Sequence, residues 1–320
     1  MKLLITGGAG FIGSNFIHYI LNKYSDYQIV NLDKLTYAGN LDNLKDIEKN
    51  SNYKFVKGDI ADENFVFDLC EKEKFDAVIN YAAETHVDRS IEAPKQFIVT
   101  DVIGTFTLLE AVKKFEIKKY IQISTDEVFG SIEKGAFTEE SPFEPNSPYS
   151  ASKAGGDHLC RAYFKTYGLP VIVTHSCNVY GYNQYPEKVI PLFVTNILSS
   201  KKIPVYGDGK NVREWLFTED HCNAIDLILH KGKVGEVYNI GSGEEIKNID
   251  LAKMILNLFG KDDGEIDFVK DRLGHDRRYA IDNSKIIEEL GFEVKTHFEE
   301  GLKKTVDWYK KNEGWWKKLI

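Results

Sequence analysis

The chain opens on Lys2-Leu3-Leu4-Ile5-Thr6-Gly7-Gly8-Ala9-Gly10-Phe11-Ile12-Gly13. The apolar run Lys2–Thr6 predicts a first β-strand. The glycines after it spell Gly-x-Gly-x-x-Gly from Gly8 and Gly-x-x-Gly-x-x-Gly from Gly7. Such a turn lets a pyrophosphate approach the backbone, and the N–H groups of the following helix then face the phosphates. Alone, such a string is weak evidence, since a glycine-rich turn can bind nothing. Here it lies between a predicted strand and a predicted helix over Phe11–Asn22. Asp33 then ends a second strand, 20 residues after Gly13. An acidic group at that place accepts hydrogen bonds from a ribose diol and repels a 2′-phosphate, so the expected cofactor is NAD rather than NADP. Gly7, Gly10, Phe11, Ile12, Gly13 and Asp33 are the expected cofactor contacts. Asp59 and Ile60, just after a third strand, are expected to flank the adenine.

Working outward, the same rhythm continues. Strands are predicted at Gln28–Leu32, Lys54–Lys57, Ala77–Tyr81, Lys119–Ser124 and Val171–His175, with helical stretches such as Ala61–Glu73 between them. Strand–helix alternation implies a parallel sheet covered on both faces. The expected fold class is α/β, a Rossmann-type doubly wound sheet with a smaller C-terminal substrate-binding domain. The rhythm turns irregular after about Val179, with turns such as Gly207-Asp208-Gly209-Lys210. The expected division is therefore 1–178 for the NAD-binding domain and 179–320 mainly for substrate. Val205 and Val237–Ile240 are expected to return to the sheet. Two helices stand out. Pro94 opens one that runs to about Phe115 and is apolar on more than one face. A second runs from about Pro148 to Tyr167, with Gly168 as its cap. Both could pack against a second subunit, or within a deep intramolecular core.

The 320 residues carry a net charge of -8, which repels nucleic acid and anionic lipid. Any anionic ligand must then be gripped by a local cluster of cations. No apolar run approaches the length of a membrane span, and the four scattered cysteines read as free thiols with no metal spacing. The expectation is a cytoplasmic protein without nucleic-acid, membrane or metal partners.

Tyr149-Ser150-Ala151-Ser152-Lys153 sets a tyrosine and a lysine on one helical face. The ammonium should lower the tyrosine pKa, so that a phenolate can remove a hydroxyl proton. Ahead of it comes Ser124-Thr125-Asp126-Glu127-Val128-Phe129-Gly130. Thr125 could hydrogen-bond the reacting hydroxyl. An alcohol dehydrogenase needs nothing more, yet Asp126 and Glu127 sit at a strand's carboxyl end, where open α/β sheets bind ligands. Two carboxyls in different surroundings can divide into an acid and a base. The candidate catalytic residues are Thr125, Asp126, Glu127, Tyr149 and Lys153.

These two strings together resemble the dTDP-glucose 4,6-dehydratases, members of the extended short-chain dehydrogenase/reductase group. The resemblance spans essentially the whole chain. It includes Ala82-Ala83-Glu84-Thr85-His86-Val87-Asp88-Arg89-Ser90, Pro186-Glu187-Lys188-Val189-Ile190-Pro191, Val212-Arg213-Glu214-Trp215 and Arg272-Leu273-Gly274-His275-Asp276-Arg277-Arg278-Tyr279. It implies oxidation at C4 of the sugar by Tyr149 and NAD, loss of water across C5 and C6, and hydride return to C6. Glu127 would take the C5 proton and Asp126 would protonate the leaving hydroxyl. It also implies that Lys34, Thr36, Ala82, Ala83, Thr85, Thr100 and Val179 join Tyr149 and Lys153 as cofactor contacts. For the substrate it implies Thr85, His86, Thr125, Asn178, Glu187, Lys188, Val189, Pro204, Tyr206, Arg213, Asn248, Arg272 and His275. The family's dimer uses the two long helices, so a homodimer is expected.

The sequence departs from the family at Phe129, commonly tyrosine, and over His175-Ser176-Cys177-Asn178-Val179-Tyr180, where Arg-Cys-Ser-Asn-Asn-Tyr is commoner. An epimerase or a decarboxylase of the same superfamily is the nearest rival. Asp126 argues against both, because only water elimination needs an acid for a leaving hydroxyl. A non-catalytic NAD-sensing regulator is the alternative from another class, but all five catalytic candidates are present.

Overall fold

The computed structural model describes all 320 residues. Seven strands form one fully parallel sheet. In chain order they are β1 (Lys2–Thr6), β2 (Gln28–Asp33), β3 (Tyr53–Lys57), β4 (Ala77–Asn80), β5 (Tyr120–Thr125) and β6 (Val171–Ser176), with a late member introduced below. Each strand alternates its side chains between the two faces. Leu3, Ile5, Ile29, Ile79, Ile121 and Ile172 therefore point into one core. Leu4, Val30, Val78, Tyr120 and Val173 point into the other. Both faces are apolar because helices cover both.

The C-terminal part adds β7 (Asn178–Tyr180), β8 (Ile203–Tyr206), β9 (Val212–Phe217), β10 (Val237–Ile240), β11 (Glu245–Lys247) and β12 (Ile266–Val269). Its helices build a third core around Tyr180, Phe193, Trp215, Leu251, Phe298 and Trp316. The large sheet runs β10-β6-β5-β4-β1-β2-β3, so β10 returns to it as expected. Val205 does not. It lies in β8, which pairs only with β12. The strand order reverses at β1 and β4, which opens a crevice above their carboxyl ends.

The helix expected over Pro94–Phe115 is not uniformly α. An α-helical turn at Pro94–Phe97 leads into a π-helical segment, Ile98–Gly104, and α-helix resumes over Thr105–Lys114. Its Phe97, Leu108, Leu109 and Val112 are buried, while Ile98, Ile103 and Phe106 are exposed at 47%, 45% and 37% in the single chain, so an intramolecular core does not cover all of it. Helix Pro148–Tyr167 has the expected limits. Ser147 and Ser150 cap each other's backbone N–H at its start, and Gly168 closes it in the left-handed region. The departures from the family pattern have a packing answer. The Phe129 ring stacks on Phe137 at 5.2 Å and meets His175 edge-on at 4.8 Å. His175 Nε2 lies 3.2 Å from Asp157 Oδ2, which also accepts from Ser124 Oγ.

Candidate active site

The crevice holds a cavity of about 280 Å³ that runs from the glycine turn to helix Pro148–Tyr167. Gly7, Gly10, Phe11, Ile12 and Gly13 form one end. Gly7 has φ +67°, and a Cβ there would sit 2.6 Å from the Ala82 backbone nitrogen. A Cβ on Gly13 would sit 2.6 Å from the Gly7 carbonyl. Both positions therefore require glycine for the turn to close on the next strand. Gly10 supplies no side-chain cap to helix Phe11–Lys23, and its first turn has no acidic residue. The free N–H groups and the helix dipole are thus left for an anion. Asp33 is buried at the end of β2, and its carboxylate accepts from the N–H of Ala9 and Leu35 at 2.9 and 2.7 Å. Lys34 beside it is paired with Asp59 at 2.6 Å. These features fit the pyrophosphate and ribose of NAD. Lys34, Thr36, Asp59, Ile60, Ala82, Ala83, Thr85, Thr100 and Val179 all line the same cavity.

At the other end, Thr125, Asp126, Glu127, Tyr149 and Lys153 come together. Thr125 ends β5, and its Oγ1 caps the short turn that carries the two carboxyls by accepting from Glu127 N–H at 3.2 Å. Asp126 is 1% exposed, and one of its carboxyl oxygens has no partner. Burial, followed by the charges of Glu127 and Glu214, raises its pKa well above the carboxylate range. Glu127 is also raised by burial, but Arg272, Arg213 and Lys188 pull it back. Both carboxyls are raised, Asp126 the more, and the cations around Glu127 offset part of its rise, which suits Asp126 to act as acid and Glu127 as base.

The expected low pKa of Tyr149 is not met in the chain alone. Burial and the carboxyls of Glu127, Asp101 and Asp126 push its phenol up. Lys153 is nearly buried, and its ammonium donates to the Ile123 carbonyl at 2.7 Å. Spacing on a helix sets a lysine near a tyrosine but does not fix which acceptor it chooses.

Of the thirteen substrate candidates, Thr85, Thr125, Asn178 and Lys188 line the cavity. The other nine, His86, Glu187, Val189, Pro204, Tyr206, Arg213, Asn248, Arg272 and His275, lie outside that wall. Several still act on it. Arg213 and Arg272 are felt by Glu127. Arg213 is held by the carbonyls of Val212 and Asp276 at 2.7 and 3.0 Å. The Nε of Arg272 is buried without a partner. His275 meets Asp271 at 2.6 Å and the Tyr206 ring edge-on. Val189 and Asn248 begin helices, and Pro204 pairs along β8 with Asp267. Sequence reasoning missed Gln184, Tyr185 and His221, which also line the cavity. His221 is fully buried and neutral, its pKa depressed to about 4 by burial, with Nε2 3.2 Å from Ser176 Oγ. It sits in an otherwise ordinary helical stretch, which gave no local signal.

Comparison with known proteins agrees with this geometry. The family model described as GDP-mannose 4,6 dehydratase matches residues 4–305. A dTDP-glucose 4,6-dehydratase of Xanthomonas campestris is 50% identical, over 98% of this chain and 94% of its own. Among solved structures, the dTDP-glucose 4,6-dehydratase of Bacillus anthracis in complex with NAD is 54% identical. It has a TM-score of 0.95 and covers 100% of both chains. The Streptomyces venezuelae enzyme, solved with NAD and a second ligand, is 48% identical with a TM-score of 0.97, again over 100% of both chains. The chain belongs to the dTDP-glucose 4,6-dehydratases, NAD-dependent lyases built on the Rossmann fold.

Proposed function

We propose that the chain converts dTDP-glucose to dTDP-4-keto-6-deoxyglucose and water, with the catalytic roles divided as follows. The observation that carries this is the pair Asp126–Glu127, differently biased and set in the same cavity as Tyr149 and Lys153. When bound, NAD supplies the acceptor for the C4 hydride, its donor for C6, and a positive charge in the site. Tyr149 Oη takes the C4 hydroxyl proton, with Thr125 Oγ1 orienting that hydroxyl. Lys153 steadies the phenolate. Glu127 removes the C5 proton, which the C4 ketone makes acidic, Asp126 protonates the departing C6 oxygen, and C5 is reprotonated once hydride has reached C6. The diphosphate is gripped by arginine, which suits phosphate better than lysine because its fork donates twice. Arg213 and Arg272 supply that grip on a chain whose net charge is -8.

The C-terminal residues from about 179 act as the nucleotide-sugar half. Two copies of the chain associate through Ile98, Ile103 and Phe106 on one helix and through helix Pro148–Tyr167. The exposed apolar residues support this reading.

Mass spectrometry of the product tests the function directly. The purified protein is incubated with NAD and dTDP-glucose, with UDP-glucose in parallel. Loss of one water from dTDP-glucose alone is the expected result. Loss from UDP-glucose instead keeps the mechanism and overturns the base. An unchanged mass with both overturns the reading.

A further inference from the structure

Three segments distant in the chain are tied to one another outside the cavity wall. Tyr37 follows β2 in the stretch whose Thr36, Ala38 and Gly39 line the cavity. Glu187 follows Gln184 and Tyr185, which line it from the C-terminal part. Arg89 lies on helix Val87–Glu92, just after Glu84 and Thr85 on a third side. The Tyr37 hydroxyl donates to Glu187 Oε1 at 2.7 Å. Arg89 Nε donates to Glu187 Oε2 at 3.2 Å, and its guanidinium lies over the Tyr37 ring at 3.8 Å from the centroid. Tyr185 packs edge-on against Tyr37 at 5.5 Å, and Thr85 Oγ1 is 3.4 Å from the same hydroxyl. One carboxylate thus holds both other members, and the cation–π contact closes the triangle.

Resting on the dehydratase reading, the demand on this region is plain. The reaction has no net redox change, so the cofactor must remain in place between the oxidation and the reduction. A cavity assembled from three unconnected segments opens if they separate. We propose that Tyr37 and Arg89 are positioning residues which, through Glu187, clasp the three segments around the cofactor and keep NAD bound through the catalytic cycle. Neither residue lines the cavity, so the clasp acts on the rate of NAD escape rather than on the bond-making steps.

The test compares the unaltered protein with Tyr37→Phe and Arg89→Met, the first removing one hydroxyl and the second only the charged head. Each is loaded with labelled NAD and chased with excess unlabelled NAD, and the release rate is followed. Losing one of these contacts, discounted for the exposure of Arg89, is expected to speed release by about three- to tenfold. Turnover of dTDP-glucose at saturating NAD should stay at its parent value, and the thermal midpoint should fall less for the NAD-free protein than for the NAD-loaded one. Unchanged release in both variants overturns the clasp. So does faster release accompanied by an equal loss of NAD-free stability, because that would mark a merely structural contact. Whether the unaltered protein dehydrates dTDP-glucose is read separately, so failure of the function and failure of the clasp are distinguishable.

Discussion

Asp126 and Glu127 are adjacent in the chain yet meet different surroundings, and the proposed division into acid and base rests on that difference. Asp126→Asn removes a proton donor without changing shape, so turnover should fall by about 10²–10⁴-fold. Deuterium from solvent should still enter at C5. Asp126→Asn with Glu127→Gln should stop that exchange as well, while C4 oxidation survives. Product release by the double variant at the parent rate would sink the assignment. The pH profile follows from the directions of the two shifts. Glu127 must be ionised, so activity falls as pH drops through its raised pKa. Asp126 must be protonated, so activity also falls as pH rises through its own, which burial sets higher. The expected profile of kcat is a bell whose alkaline limb moves in an Asp126 variant. A third carboxyl bears on stability. Asp101 is 2% exposed and accepts from Ser152 Oγ at 2.6 Å, and burial pushes its pKa up to about 7. Its folded pKa exceeds its unfolded one, so its stabilising contribution is complete below the unfolded pKa and is lost as pH rises through about 7. Asp101→Asn should therefore raise the thermal midpoint above that pH, by an amount that shrinks toward pH ~4. A gain that grew on acidification would contradict the sign.

Two elements place these groups. The glycine turn is held between β1 and the backbone of Ala82, with no room for a methyl at Gly7. Gly7→Ala should fold with a distorted turn and lose NAD binding, measured by equilibrium dialysis. Parent affinity in that variant would mean the turn is not the phosphate site. Helix Pro148–Tyr167 carries Tyr149 and Lys153 in its first turns, directly after the Ser147 cap. Ser147→Ala should cost about 1 kcal/mol of stability. It should also lower kcat more than KM, because fraying would loosen Tyr149 first. Denaturant melts and steady-state kinetics check both parts. These limits were legible in the sequence because caps, glycines and the i, i+4 spacing are local. The π-helical segment Ile98–Gly104 was not, since it shows no glycine or proline break ahead of Gly104.

At the scale of the whole molecule, Ile98, Ile103 and Phe106 remain exposed in one chain. Phe106→Asp places a charge on this exposed apolar segment, beside Tyr163, whose ring meets Phe106 edge-on at 6.4 Å. Sedimentation should show the parent as a dimer and this variant as a monomer. A dimer in both would move the interface elsewhere.

By itself the sequence determined the core strands of the sheet, the glycine turn, the acidic end of β2 and the five candidates that meet in one cavity. Each of these is a local pattern whose period or spacing has one cheap structural solution. The three-dimensional fold alone decided what those residues experience. It set Lys153 on the Ile123 carbonyl, left Tyr149 with a raised pKa, and brought His221 and Gln184 into the cavity wall. It also sent Val205 to a separate two-stranded sheet. Burial and long-range charge arise only when distant segments pack together, and no window along the chain contains them.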